Sequence, residues 1–308
     1  MKKSFINNSE DILLEIREKG WTLVENYFDK KSCDEVRKSL HDNLSINSNA
    51  QLSTIYKGTK FNTSVLSISK EAFDAVTNKD LRKFAEIFVR DKPILKCVRS
   101  YSISKNYPLF FWHSDNVDPE TLKADDSIGM NGIIYLEDDY EGSFKIADQK
   151  FHDDERKTAV PTYLELENWM KNGSIIPIKA KKGDLILFNQ QIYHRHTLKN
   201  KSKLDALWFQ IVGNKNSKNE KMIIDPSFLS YDESLLRFLG VGKVNIGFNN
   251  PRTGISDLTL KNIVQLSFLT LRQIPKSLIK YSYTSIYNKF FRDSKFGEFL
   301  VKNLKKNS

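Results

Sequence analysis

The feature that most constrains this 308-residue chain is an aromatic run ending in a His-x-Asp pair, Phe110-Phe111-Trp112-His113-Ser114-Asp115. It is answered much later by Gly183-Asp184-Leu185-Ile186-Leu187-Phe188 and then His194. In a strand, residues i and i+2 project to one face, so His113 and Asp115 can reach one ion while Ser114 points away. A segment that supplies two ligands needs only one further long-range contact, and His194, closing a second strand-like run, can supply it. Two imidazoles and one carboxylate on one face of an ion, with the opposite face open, are the ligand set of a mononuclear non-haem iron centre. Solvated or core histidines are the competing explanation. The apolar run over 107–112 that delivers the pair, and the Gly-Asp turn that opens the second run as a buried strand opens, favour the metal. His196 shares the strand parity of His194 and is the alternative distal ligand; His194 is preferred.

The length allows two domains, or one β core with insertions. A core of that size needs no disulfide staple. Cys33 and Cys97 are the only cysteines and form no metal-spaced cluster, which suits buried thiols in a reducing compartment. The opening Met1-Lys2-Lys3-Ser4-Phe5-Ile6-Asn7-Asn8 lacks the apolar stretch of a signal peptide, and no apolar run is long enough to span a bilayer. The expectation is a cytoplasmic protein. The net charge of +10 falls mostly after residue 260, leaving the body close to neutral. No basic stripe crosses that body, so nucleic acid is not an expected partner.

Trp112-His113-Ser114-Asp115-Asn116, Gly183-Asp184 with four apolar residues and a following His, and the polar turn Asn200-Lys201-Ser202 together resemble the phytanoyl-CoA dioxygenase family of iron(II)- and 2-oxoglutarate-dependent oxygenases. Residues 11–45 resemble the family's opening: an acidic helix, the Gly20–Val24 strand, then a helix start at Phe28–Arg37. The resemblance covers about residues 10–215. It implies a double-stranded β-helix, a jelly-roll or cupin-like fold, with His113, Asp115 and His194 holding Fe(II) and with 2-oxoglutarate and O₂ as cosubstrates. The carboxylate of Asp115 implies hydroxylation rather than halogenation. Two departures stand out. Where the family carries an Arg for the far carboxylate of 2-oxoglutarate, this chain has Leu204-Asp205-Ala206-Leu207. Lys203, or Arg99 and Tyr101 on the strand before the metal motif, are then the candidates for binding the cosubstrate; a guanidinium suits the task because its fork meets a carboxylate in two parallel hydrogen bonds. Asn200 also lies one residue farther from His194 than the family pattern.

The expected fold class is α+β with a mainly β core, N-terminal helices and a helical C-terminal extension. Residues 1–215 form the oxygenase-like domain, 216–255 an irregular connection, and 256–308 a basic helical extension. Periodicity and punctuation predict helices over 10–19 and 32–44, the latter capped by Ser32, and one or two more over 70–89. Strands are expected over 94–103, 131–136, 142–147, 175–178, 184–188 and 207–212. A short helix is expected over 232–239. Residues 117–130 and 152–172 are long insertions of the kind that form lids or binding loops. Trp112 and Trp208 are expected to flank the site on adjacent strands. Asp125-Asp126 and Glu137-Asp138-Asp139 read as acids of surface turns rather than a second cation site.

The expected function is a dioxygenase hydroxylating a small molecule or a lipid- or sugar-linked intermediate. A metal-dependent hydrolase, since the same ligands can hold zinc, and a non-catalytic scaffold of the same fold are the alternatives. The segment 256–308 either packs on its own protein, self-associates or makes peripheral membrane contact.

Overall fold

The computed structural model describes residues 5–47, 60–62, 64–104, 112, 114–115, 129–148, 171, 175–198, 203–213 and 222–240. Along these the chain forms α1 (Phe5–Lys19), β1 (Trp21–Val24), α2 (Lys30–Asn47), β2 (Lys60–Asn62), α3 (Lys70–Val76), α4 (Lys79–Val89), β3 (Pro93–Ser104), β4 (Gly129–Tyr135) and β5 (Asp139–Ala147). There follow β6 (Ile175–Ala180), β7 (Leu185–Asn189), β8 (His194–His196), β9 (Lys203–Gly213) and α5 (Glu233–Phe238). The expected extension over 256–308 and most of 216–255 lie outside the described residues, as do the insertions over 117–128 and most of 152–172.

The helix ends follow from local chemistry. Asn8 has non-helical backbone angles inside α1, so the regular helix begins close to the expected residue 10. In α2 the expected cap is corrected. The Asp29 carboxylate accepts from the Ser32 backbone N–H at 2.9 Å, so the cap precedes Ser32, which lies inside the helix. Ser69 caps α3 by accepting from Ala72, and Asn78 caps α4 by accepting from Asp80 and Leu81. A residue with a side-chain acceptor just before the first turn satisfies amides that the helix cannot.

The strands form two antiparallel sheets, one ordered β1-β7-β4-β9-β3-β2 and one ordered β6-β5-β8. One face of the larger sheet packs on the helices through Leu95, Val98, Leu207, Phe209 and Ile211. Its other face meets the smaller sheet through Ile133, Ile186, Phe188, Phe144 and Ile146. Rings of Phe144 and Phe188 lie 5.2 Å apart between the sheets. This is a jelly roll, and alternation along each strand decides which residues face the helices and which face the interior. Fully burying side chains of this size stabilises the fold by about 1.5–3 kcal/mol each.

Two glycines mark where backbones come close. At Gly132 a Cβ would sit 2.1 Å from the Phe209 ring, so the missing side chain makes room for that ring. Gly183 has φ +90°, and a Cβ there would meet the Phe28 carbonyl at 2.1 Å. The Asp184 carboxylate beside it accepts from the backbone of Asn26 at 2.8 Å and of Lys181 at 2.7 Å. The Gly-Asp pair thus joins the entry of β7 to the segment after β1, which is why it precedes the buried strand.

Candidate metal centre

β8 is three residues long, and its two histidines both face the interior. Its register is set by β5, where Ile146 stands opposite His194 and Phe144 opposite His196. The His194 ring packs edge-on against Phe188, with centroids 4.8 Å apart. Its Nδ1 lies 3.0 Å from the Ile192 carbonyl. A carbonyl only accepts, so Nδ1 carries the proton and Nε2 presents a lone pair. That lone pair faces Asp115 Oδ2 at 3.7 Å. The separation is too long for a hydrogen bond. Two atoms each about 2.1 Å from one ion would stand about 3.0–3.4 Å apart, so the pair stands somewhat wider than two ligands of one ion, by less than an ångström. Metal-binding histidines commonly donate their other ring N–H to a backbone carbonyl in this way.

Asp115 is held from two directions. Its N–H donates to the Gln190 carbonyl at 3.0 Å, and its Oδ2 accepts from Asn131 Nδ2. The strand reading of the motif is corrected here. Trp112, Ser114 and Asp115 belong to no strand, and Ser114 is buried. Trp112 packs with Ala147 and Tyr193, whereas Trp208 sits on β9, so the two tryptophans do not lie on adjacent strands. His113 lies outside the described residues. Among the described residues no group of three metal-ligating side chains converges; Asp115 and His194 are the pair brought together.

His196 is committed elsewhere. Its Nε2 lies 2.8 Å from Ser143 Oγ and its Nδ1 3.4 Å from the Tyr101 hydroxyl. Ser143 Oγ donates to the Asp139 carboxylate at 2.5 Å, so it accepts from His196 Nε2–H, and Tyr101 donates to Nδ1. Burial above all pushes the His196 pKa down to about 3, keeping the ring neutral. Burial, with the charge of Asp139, likewise pushes the Tyr101 hydroxyl well above its ordinary range. Asp139 is fully buried, which corrects its reading as a surface turn acid. Its neighbours Glu137 and Asp138 bond to Arg37 and to the Lys182 backbone, so these three acids do not converge on a second cation. Asp125 and Asp126 lie outside the described residues.

The cations expected to hold a cosubstrate separate by strand parity. Arg99 pairs with Trp208 across β3 and β9, and its guanidinium carbon lies 5.2 Å from the Trp208 ring centre. It shares the interior-facing parity of Tyr101 and Ile103. Lys203 lies on the opposite parity, on the helix side. Its ammonium stands 3.0 Å from His41 Nε2 and 3.3 Å from Asp205 Oδ1, and Arg37 of α2 reaches the same aspartate. Leu204 and Ala206 occupy the interior positions of β9 next to Tyr101 and Ile103.

The residue that sequence reasoning passed over is Asn131. Its signal was a polar side chain within the run Asn131-Gly132-Ile133-Ile134-Tyr135-Leu136, whose other residues are apolar or aromatic apart from a glycine. Ser143 and Asp139 were also missed as partners of His196, because only the pairing of β5 with β8 brings them there.

No family model matches the chain, and no curated protein matches it. Solved structures do. HygX from Streptomyces hygroscopicus, solved with nickel and 2-oxoglutarate bound, aligns with a TM-score of 0.53 at 12% identity over 73% of this chain and 92% of its own. The same protein with hygromycin B also bound aligns with a TM-score of 0.53 at 13% identity, over 80% and 99%. SnoK, a non-haem α-ketoglutarate-dependent carbocyclase from nogalamycin biosynthesis, gives 0.54 at 10% identity over 69% and 87%. EctD from S. alaskensis in its apoform gives 0.54 at 15% identity over 76% and 86%. At these identities the likeness establishes the shared fold.

Proposed function

We propose that the chain is an iron(II)- and 2-oxoglutarate-dependent oxygenase that hydroxylates a small molecule, with His113, Asp115 and His194 as the metal ligands. The observation that carries the reading is the facing pair of Asp115 Oδ2 and His194 Nε2 at 3.7 Å inside a jelly roll, with Nδ1 of the imidazole already satisfied. HygX, which shares the fold, was solved with nickel and 2-oxoglutarate, and its complex with hygromycin B supports a small-molecule substrate. Of the two candidate distal histidines, His194 is preferred because both nitrogens of His196 have partners within the protein.

When bound, iron(II) with 2-oxoglutarate and O₂ supplies the oxidising power to break a substrate C–H bond. The chain's own residues prepare the place. Ile192 fixes the His194 tautomer, and Gln190 and Asn131 fix Asp115. Arg99, on the interior face beside Trp208, would pair with the far carboxylate of the cosubstrate, with Tyr101 beside it on the same face. The apolar rings of Phe144 and Phe188 exclude water from the His194 side.

The test is turnover of 2-oxoglutarate. Full-length protein given Fe(II) in air should convert it to succinate, slowly without substrate and faster with a productive one. Arg99→Leu should raise the 2-oxoglutarate requirement on the order of a hundredfold or more, because removing one partner of a buried pair costs roughly 3–5 kcal/mol. Lys203→Leu should leave that requirement near the parent's. A folded parent that binds metal but neither binds nor decarboxylates 2-oxoglutarate would favour the hydrolase or scaffold reading.

A further inference from the structure

We propose that Asn131 is a positioning residue that clamps the Asp115 carboxylate in the orientation facing His194; this rests on the metal-centre reading above. Asn131 lies on β4, fully buried, with Phe188 and Gln210 opposite it on the neighbouring strands. Its Nδ2 donates to Asp115 Oδ2, the same oxygen that stands 3.7 Å from His194 Nε2. The direction of the amide follows from chemistry: turned over, it would set its own oxygen against a carboxylate oxygen, acceptor against acceptor.

A buried amide in the middle of a sheet runs against both strand propensity and desolvation. The neighbouring positions Met130, Ile133 and Ile134 are apolar and buried, so packing alone would be served by an apolar side chain here too. The amide is explained by what it touches. The backbone of Asp115 is anchored on the Gln190 carbonyl, while the Asn131 amide acts on its carboxylate. A donor fixed on one oxygen resists the turn that would bring both oxygens to an ion, and so keeps room for other ligands. A second observation points to a bound molecule. Asn131 Oδ1 is buried and accepts from no group among the described residues. It is an acceptor beside the carboxylate, suited to an O–H or N–H carried by whatever binds there.

The experiment is anaerobic Co(II) titration of the full chain and of Asn131→Leu, which keeps the volume and removes the donor. Melting of the metal-free proteins and visible absorption of the Co(II) complexes are followed in parallel. The leucine variant should melt near the parent, bind Co(II) on the order of 10–100-fold more weakly, and show a changed absorption intensity, since that intensity follows coordination number. In an Asp115→Ala background the same substitution should have no further effect on affinity. Parental affinity and spectrum in a folded Asn131→Leu protein, or an equal loss without Asp115, overturns the clamp. Should the leucine variant fail to fold, Asn131→Ser, which fits the space but falls short of Asp115, carries the same readouts. A parent that binds no Co(II) overturns the metal centre and the clamp together, whereas a binding parent with an indifferent variant overturns the clamp alone.

Discussion

His194 and His196 are two residues apart on one strand face, yet their surroundings differ. His194 has one nitrogen on a carbonyl and the other facing a carboxylate; His196 is closed into a chain from Tyr101 through Ser143 to Asp139. Substituting His194 by alanine should therefore remove most Fe(II) affinity with little change in melting. Substituting His196 should do the reverse: metal binding persists, while stability falls by about 1–3 kcal/mol because buried partners lose their hydrogen bond. Paired metal titration and denaturant unfolding of the two variants separate these roles, and identical behaviour in both would sink the assignment. The parity of both histidines was legible in the sequence. The sequence also favours His194, but the partners that distinguish the two rings, Ser143 and the Ile192 carbonyl, come into reach only through strand pairing. The sequence leaves both Arg99 and Lys203 open for the same reason. Their difference is which side of the sheet each faces, a matter of register that a bulge between Leu95 and Cys97 also influences.

At the scale of elements, the strands and helices were legible wherever periodicity was strong, as in α4, β4, β7 and β9. The composition of the aromatic run predicts a buried strand carrying the metal motif, but Trp112, Ser114 and Asp115 lie in no strand, and residues 105–111 are outside the described residues. Backbone contact with Gln190 instead fixes Asp115 outside any strand. Gly132 offers a sharp check on the packing of the large sheet. Its valine variant would drive a side chain into Phe209 and should lose about 1–3 kcal/mol in denaturant unfolding; an unchanged midpoint would mean the sheet yields there. The attachment of α2 to the sheet has a pH signature. Burial pushes the Asp205 carboxyl up, but hydrogen bonds from Ser102 and His41 and the charge of Lys203 outweigh it and hold it below the ordinary range. A lowered carboxyl stabilises the fold above its unfolded pKa of about 3.9, and that contribution is lost as pH falls through the lower folded value. Asp205→Asn should thus be less stable than the parent near neutrality, with the gap closing on acidification. A gap independent of pH would contradict this linkage.

Across the whole molecule, charge is divided unevenly between body and tail. Most of the positive excess lies after residue 260, and no helix among the described residues is long and apolar enough to cross a membrane. We propose that 256–308 attaches the protein peripherally to anionic surfaces or to a second copy of itself. Full-length protein should sediment with anionic but not neutral vesicles, and salt should release it, because screening acts over about 8 Å at physiological ionic strength. A chain ending near Asn250 should lose that binding and keep its metal. Failure of the full-length protein to bind vesicles, with an insoluble shortened form, would make the tail part of the packing. The proposed role of the jelly roll is to hold iron so that 2-oxoglutarate can chelate it. Its most direct test is the anaerobic absorption difference spectrum of the full-length protein with Fe(II) and 2-oxoglutarate. A visible charge-transfer band that requires both additions, and that disappears in the Asp115→Ala and His194→Ala proteins, is the predicted result; a folded parent that shows no such band would contradict the account.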